Sequence, residues 1–508
     1  MFKLTDYSEE IMVLKYESTR NKNINVNPSE AVVKGLSDDG GLFVPREIEE
    51  LGLDLQEMCS LGFHDTAKKI LSLFFADFSE EQINDSVMNA YDSKFDSKDI
   101  VPVEKVGDRF IMELFHGSTI AFKDIALSIL PYLMKKAQSN CKMKEDIVIL
   151  TATSGDTGKA ALEGFKDVEG TKIIIFYPND GVSPVQEMQM VTTEGDNTHV
   201  VAVEGNFDDA QSAVKEIFND LELREKLGDM GMKFSSANSI NIGRLVPQIS
   251  YYFTTYADLV KKNEIQIGDE INFVVPTGNF GNILAGFFAK LLGLPVNKLI
   301  CAANENNVLY DFLTTGVYDI NREFKKTMSP SMDILISSNL ERLLYFMSNK
   351  DNEYIAELMN QLKTEKRYEA NDEIKAKIKE QFWSSYCSED DTTDTVKKVY
   401  EEFGYVLDTH TAVAYKVYED YLKENKDDSK TVILSTASPF KFTGSVYRSL
   451  FGDTDMKELD LIKELSDKTG IKVPVQIDGL GERKILHNRL CTPASMDKEI
   501  LDILREGK

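Results

Sequence analysis

Along the middle of the chain, short runs of apolar, often β-branched residues alternate with stretches whose apolar positions recur every three or four residues. The runs at 147–152, 172–177, 199–203, 272–275, 299–303 and 431–434 are nearly continuous in apolar residues and end in polar or glycine-rich turns. Strands covered on both faces of a parallel sheet read this way. Helical periodicity falls between them, at 159–165, 208–227, 245–262 and 283–292. This alternation predicts an α/β protein with open, twisted sheets.

Two regions depart from the pattern. Residues 1–95 contain Gly40-Gly41-Leu42-Phe43-Val44-Pro45, a turn signal leading into Glu- and Leu-rich helical sequence, and are expected to form a mainly helical unit. Residues 314–405 are highly charged and helical, especially at 355–380, and are expected to be a helical insertion. The division expected is thus 1–95, a smaller α/β lobe at 96–260, and a larger α/β lobe at 261–508 that holds the insertion. Beyond residue 457, helix and glycine-rich turns alternate without a functional signal.

Composition narrows the partners. A chain of 508 residues with 42% hydrophobic content can bury two or three cores. A net charge of -26 argues against nucleic acid, whose phosphates need basic patches. No apolar run approaches the roughly 18 residues of a membrane span. The five cysteines and five histidines are scattered without disulfide-framework or zinc-ligand spacing, so no metal is expected. Residues 1–10 carry mixed charges and no apolar core of a secretory signal. The expectation is a soluble protein of a reducing, cytoplasmic compartment.

The candidate chemistry lies in four segments. In Phe115-His116-Gly117-Ser118-Thr119-Ile120-Ala121-Phe122-Lys123-Asp124, Lys123 follows an aromatic at the mouth of a helical run over 124–138. A lysine held near a hydrophobic surface loses solvation and becomes a usable amine nucleophile. The same spacing also describes an amphipathic surface turn. In Thr151-Ala152-Thr153-Ser154-Gly155-Asp156-Thr157-Gly158, a strand turns through small hydroxyl residues into a helix. Such a turn offers unpaired N–H groups and the positive helix end to an anion, or simply caps the helix. Pro276-Thr277-Gly278-Asn279-Phe280-Gly281-Asn282 follows another strand, and its two glycines let the backbone wrap a phosphate monoester or form a left-handed turn. It has neither the Gly-Lys-Ser/Thr of a nucleotide-triphosphate loop nor the third glycine of a dinucleotide site. Ser435-Thr436-Ala437-Ser438-Pro439-Phe440-Lys441-Phe442 again puts hydroxyl residues at a strand's C-terminal end, where ligands of open sheets gather, or makes a polar turn before a proline.

Taken together, these segments supply an amine for an aldehyde, a cradle for a phosphate and a hydroxyl for a pyridine nitrogen, the parts that hold pyridoxal phosphate. A hydroxyl cannot keep a pyridinium protonated as a carboxylate would. The cofactor would then be a milder electron sink, suited to β- and γ-elimination or replacement.

With these motifs in order, the chain resembles the threonine synthases, among the fold-type-II (tryptophan-synthase-β-like) pyridoxal phosphate enzymes. The resemblance runs through residues 15–20, 35–45, 115–124, 151–158, 238–244, 277–282, 337–343, 408–412 and 435–442. It implies two open α/β lobes and conversion of O-phospho-L-homoserine and water to L-threonine and phosphate. It implies Lys123 as the Schiff-base lysine, with Phe122 beside it. Gly278, Asn279, Phe280, Gly281 and Asn282 would hold the cofactor phosphate, and Thr436 would face the pyridine nitrogen. Thr153, Ser154 and Thr157 would receive the substrate carboxylate, and Arg244 the substrate phosphate, with Lys441 a second candidate for that anion. Asp156 is expected to turn away from the cofactor or to contact backbone N–H groups. Ser118 and Leu340 depart from the family's usual proline and phenylalanine. A monomer or homodimer is implied. Two alternatives stay open: a related phospho-lyase that gives 2-oxobutyrate, and a non-catalytic homologue that binds the cofactor.

Overall fold

The computed structural model describes residues 14–48, 51–153 and 155–506. Near its N-terminus, β1 (Tyr16–Ser18) lies between β2 (Asn21–Val26) and β3 (Phe43–Pro45) in an antiparallel sheet. The N-terminal unit thus holds a sheet besides the expected helices Pro28–Lys34, Leu55–Ser60, Phe63–Phe74 and Glu80–Ala90. β1 and β3, of three residues each, are too short to show a period of two, and β2 is polar and mostly uncovered, so the sequence pattern hid them.

The remaining strands are β4 (Val103–Val106), β5 (Arg109–Glu113), β6 (Asp146–Ala152), β7 (Thr171–Pro178), β8 (Thr198–Val203), β9 (Met232–Ser235), β10 (Ile271–Pro276), β11 (Val296–Ala303), β12 (Val317–Asp319), β13 (Arg367–Glu369), β14 (Phe382–Tyr386), β15 (Thr431–Ser435) and β16 (Arg489–Cys491). One sheet has the order β14-β11-β10-β15-β5-β4, parallel except where β4 meets β5. The other has the order β16-β8-β7-β6-β9 and is parallel throughout. All six strands expected from the apolar runs are present. β10, which is buried along its whole length, shows why such runs are continuous: helices cover both faces of a parallel sheet.

Sheet membership does not follow the blocks 96–260 and 261–508. β4 and β5 belong to the larger sheet, and β16 closes an edge of the smaller one. The stretch 314–405 carries the helices Leu340–Met347, Asn352–Glu365, Asp372–Gln381 and Glu389–Phe403, but also the β12–β13 pair and the edge strand β14. β14 reads Phe-Trp-Ser-Ser-Tyr and is only partly buried, so it lacks the apolar run of an inner strand.

Three expected helices are broken by specific residues. Pro247, with no N–H to donate, sits in a 3-10 turn between Ile242–Leu245 and Ile249–Lys261. Asp220 separates Phe207–Asn219 from Leu221–Asp229 and caps the second through the Leu223 N–H. The run over 124–138 divides into Lys123–Leu127 and Leu130–Asn140, the second with Pro131 in its first turn.

Candidate active site

Lys123 begins a short helix, and its approach is braced from two sides. Ile120 takes φ 54°, a left-handed conformation rarely adopted by β-branched residues. The Ile120 N–H donates to Gly117 O at 3.1 Å, and the Ser438 N–H donates to Ile120 O at 3.0 Å. The Phe122 N–H donates to Thr436 O at 2.9 Å, and Ala121 bridges Ala437. The loop after β15 therefore holds the lysine's backbone. Asp124 locks the other side, accepting from the Thr119 N–H at 2.8 Å and the Thr119 hydroxyl at 2.5 Å. Burial pushes the Asp124 carboxyl up to about 6 against these hydrogen bonds. Gly117 packs on this carboxylate so closely that a Cβ would come within 2.5 Å of Asp124 Cβ.

The Lys123 side chain is 11% exposed, and its Nζ lies 4.8 Å from the Phe122 ring centre. Nζ is 3.4 Å from both Asp156 Oδ2 and Ser331 Oγ. Burial depresses the proton affinity of this amine. Asp156 raises it, Lys441 and Arg244 lower it again, and the net result is below the usual lysine value.

Asp156 does not turn away: its carboxylate faces the lysine. Oδ1 accepts from Gln186 Nε2 at 2.8 Å and lies 3.4 Å from Lys441 Nζ; Oδ2 accepts from Ser331 Oγ at 2.9 Å. Burial would raise its pKa, but Lys441, Lys123 and the Gln186 hydrogen bond hold it well below the usual carboxylate range. The expected orientation failed because charges from remote segments converge here. Ser331 is set in turn by His410, whose Nε2 accepts the Ser331 N–H at 3.1 Å while Nδ1 contacts Asp408 Oδ1 at 3.0 Å. These two contacts require the Nδ1–H tautomer.

The two strand-end turns each open a helix. After β10, Phe280 adopts φ 61° and starts the helix Gly281–Leu291. The first intrahelical donor in this helix is the Leu284 N–H, to Phe280 O at 3.1 Å, which leaves the earlier N–H groups at the positive helix end. A Cβ on Gly278 would sit 2.5 Å from Ser331 O, so only glycine lets the two segments close. Asn282 Oδ1 accepts from Tyr251 and Tyr252 hydroxyls at 2.6 and 2.9 Å, and its buried Nδ2 has no partner among the described residues. After β6, Gly155 takes φ 138° before the helix Asp156–Phe165. The Thr153 hydroxyl oxygen caps this turn, accepting from the Gly155 and Gly158 N–H groups at 3.0 and 2.9 Å. Thr157 is half-buried in the first turn, and Ser154 lies outside the described residues.

Arg244 is buried, and burial pushes its guanidinium down to about 10. It donates to Ala237 O at 2.6 Å, while Nε is buried without a partner and no carboxylate pairs with it among the described residues. Thr436 is buried at the end of β15. Lys441 departs from expectation. It is 0% exposed, and its Nζ is committed to Thr119 O at 3.0 Å, Gln189 Oε1 at 2.8 Å and Asp156. An ammonium has three N–H donors, so none remains for a substrate anion. Sequence reasoning missed Ser331, Gln186 and the part played by His410. Only the presence of 408–412 among the family-like motifs signalled the last.

A lysine amine set between glycine-rich strand ends, on two largely parallel α/β sheets, points to a pyridoxal-phosphate-dependent enzyme, and the family model of that description matches residues 107–437. On either side, residues 15–91 match the threonine synthase N terminus and residues 411–475 the threonine synthase C-terminal model. The chain belongs to the threonine synthase family. It is 35% identical over 524 residues to threonine synthase of Schizosaccharomyces pombe, covering 97% of each chain. It is 39% identical over 435 residues to threonine synthase-like 1 of Homo sapiens, covering 83% of this chain but spanning only 58% of that protein's length. The solved pyridoxal-phosphate-bound threonine synthase of Brucella melitensis superposes with a TM-score of 0.85 at 33% identity, covering 97% of this chain and 99% of that one.

The cofactor of this family is pyridoxal phosphate, and the residues present fit it. The Lys123 amine can take its aldehyde, and the Gly278–Asn282 turn, with open N–H groups and an unpartnered Asn282 Nδ2, can take its phosphate. Among the described residues no group of side chains could hold a metal ion, and no helix is long and apolar enough to cross a membrane.

Proposed function

We propose that this protein converts O-phospho-L-homoserine and water to L-threonine and inorganic phosphate. The observation that carries the reading is the buried, acid-unpaired Arg244 guanidinium within electrostatic reach of the Lys123 amine. A buried cation without a counter-charge is expensive, and a phosphate monoester on the substrate would supply one.

When bound, the cofactor spreads the negative charge that builds on the substrate as its Cα proton leaves. Lys123 would attach the cofactor and, once displaced by the substrate amine, take and return the proton at Cα. The lowered proton affinity of its amine suits both tasks. Gly278, Asn279, Phe280, Gly281 and Asn282 would hold the cofactor phosphate, Phe122 would flank the lysine, and Thr436 would face the ring nitrogen. Thr153, Ser154 and Thr157, with the N–H groups of their turn, would receive the substrate carboxylate. Arg244 would hold the γ-phosphate while a proton leaves Cβ and the Cγ–O bond breaks, releasing phosphate. Cγ would then take up a proton to become the methyl group, water would give its hydroxyl to Cβ and its proton to the released phosphate, and the proton returned at Cα would complete threonine.

We read the protein as cytoplasmic, acting as a monomer or homodimer without nucleic acid. The five free cysteines support the compartment, and the net charge of -26 supports the absence of nucleic acid.

The test is purified protein with pyridoxal phosphate and O-phospho-L-homoserine, assayed for phosphate, threonine and 2-oxobutyrate. Equal phosphate and threonine are expected, and Lys123→Ala should remove turnover by at least about 10⁴-fold. Phosphate with 2-oxobutyrate would move the protein to the lyase reading. Cofactor binding without phosphate release would make it a binding homologue.

A further inference from the structure

Lys441 and Lys123 reach the same carboxylate from opposite sides. Lys441 Nζ lies 3.4 Å from Asp156 Oδ1, and Lys123 Nζ lies 3.4 Å from Oδ2. Each oxygen also accepts one neutral donor, Gln186 Nε2 on Oδ1 and Ser331 Oγ on Oδ2. The Lys441 side chain is fully buried and held by hydrogen bonds to Thr119 O and Gln189 Oε1. Thr119 belongs to the Lys123 segment and itself donates to Asp124. One buried anion is therefore shared by two ammonium groups, only one of which is partly exposed.

We propose that Lys441 is a positioning residue for the reactive amine: by holding half of Asp156, it prevents that carboxylate from closing a one-to-one ion pair with Lys123. A buried one-to-one pair would keep Lys123 protonated, and an ammonium is not a nucleophile. Sharing weakens the hold of Asp156 on Lys123, and the second positive charge repels the first. Asp156 can still orient the amine. The inference rests on the reading of Lys123 as the reactive amine, and it replaces the substrate-phosphate role suggested for Lys441 by the family resemblance.

The other charged groups around the pair come from separate elements. Arg244 faces Lys123 from Ile242–Leu245 and opposes its charge. His410 faces Asp156 from the helix Thr409–Glu424, with Nδ1 turned to Asp408. Asp124, on the lysine's own helix, is turned to Thr119 and feels Lys441 as well. None of these three groups shares the Asp156 carboxylate as a salt-bridge partner among the described residues.

The test follows the pH dependence of Lys123 modification in the full chain freed of cofactor. A small amine-selective acylating reagent is used, with the Lys123 peptide quantified by mass spectrometry and folding checked by circular dichroism. In folded Lys441→Met or Lys441→Gln protein, the midpoint should rise by about one to two pH units. In Asp156→Asn it should fall, and adding Lys441→Met to that variant should produce a clearly smaller rise than in the parent. An unchanged or lower midpoint in the Lys441 variants, or an equal rise in both backgrounds, would overturn the proposal. If neither Lys441 variant folds, Asp156→Asn decides: an unchanged midpoint there also overturns it. The readout needs no turnover. A midpoint shift in a chain that makes no threonine would sink the proposed reaction alone.

Discussion

Two buried arginines differ in how completely their donors are partnered. Arg342 and Arg244 are both buried, and burial pushes each guanidinium down to about 10. Arg342 is surrounded by acceptors. Nε donates to Phe43 O at 3.0 Å, Nη1 to Asn339 Oδ1 at 2.5 Å and Nη2 to Ile240 O at 2.6 Å. Nearby, Arg20 grips Glu341 with two hydrogen bonds of 2.8 and 2.7 Å. Arg342 and Arg20 are thus both matched by partners. Around Lys123, by contrast, two lysines share Asp156, and Arg244 Nε has no partner among the described residues. Burial is similar in the two regions; the difference is whether the partner set is complete. A buried guanidinium short of a partner is costly unless a ligand supplies one.

The comparison can be broken most directly at Arg244. Arg244→Met should lower kcat/KM by about 10²–10³-fold in steady-state assays with O-phospho-L-homoserine, while thermal stability holds or rises. A large loss of stability with little loss of kcat/KM would make Arg244 another Arg342. The mirror substitution, Arg342→Met, leaves the Phe43 and Ile240 carbonyls and Asn339 without their donor. It should cost about 3 kcal/mol or more of folding free energy in urea titrations. Gly278→Ala probes the cradle rather than the charge: its Cβ would collide with Ser331 O. Titration of cofactor-free chain should show pyridoxal phosphate binding about tenfold weaker.

The smallest effect is expected at His116. Its Nδ1 contacts Asp96 at 2.6 Å and its Nε2 contacts Glu113 at 2.9 Å. Burial lowers its pKa, but the bonds to Glu113 and Asp96 outweigh that and raise it overall. A raised histidine stabilises the fold fully below its unfolded pKa of about 6.5 and loses that contribution as pH climbs through the folded value. His116→Gln should therefore cost about 0.5–1 kcal/mol near pH 6, since the 44% exposed Asp96 is screened, and the difference should shrink in alkaline buffer.

Much of the framework was legible in the sequence because inner parallel strands must be apolar throughout, and all six runs became strands. β14 was not, since an edge strand with two serines has no such run. The N-terminal sheet was hidden by two strands of three residues and a polar third, and the break at Pro247 was a local signal overlooked inside a helical pattern. In the site, Lys123 and the two glycine turns were visible because strand–turn–helix geometry is local. The orientation of Asp156 was not. It depends on Ser331, 175 residues away, and on Lys441, whose own acceptor Gln189 lies 252 residues from it. No pattern along the chain records which of two lysines a carboxylate will face.

The position of β16 has a consequence for synthesis. β8 lies between β7 and β16 in the smaller sheet, and residues 489–491 pair with residues 201–203. The helix Met496–Glu506 then packs Met496, Ile500, Ile503 and Leu504 into the same core as Val201 and Val203. A ribosome has made residues 201–203 almost three hundred residues before it makes their partner. For that whole interval the growing protein carries an unpaired parallel edge, the kind of surface on which nascent chains aggregate. Chains that stall before residue 489 would keep that edge, which makes them natural clients for chaperones.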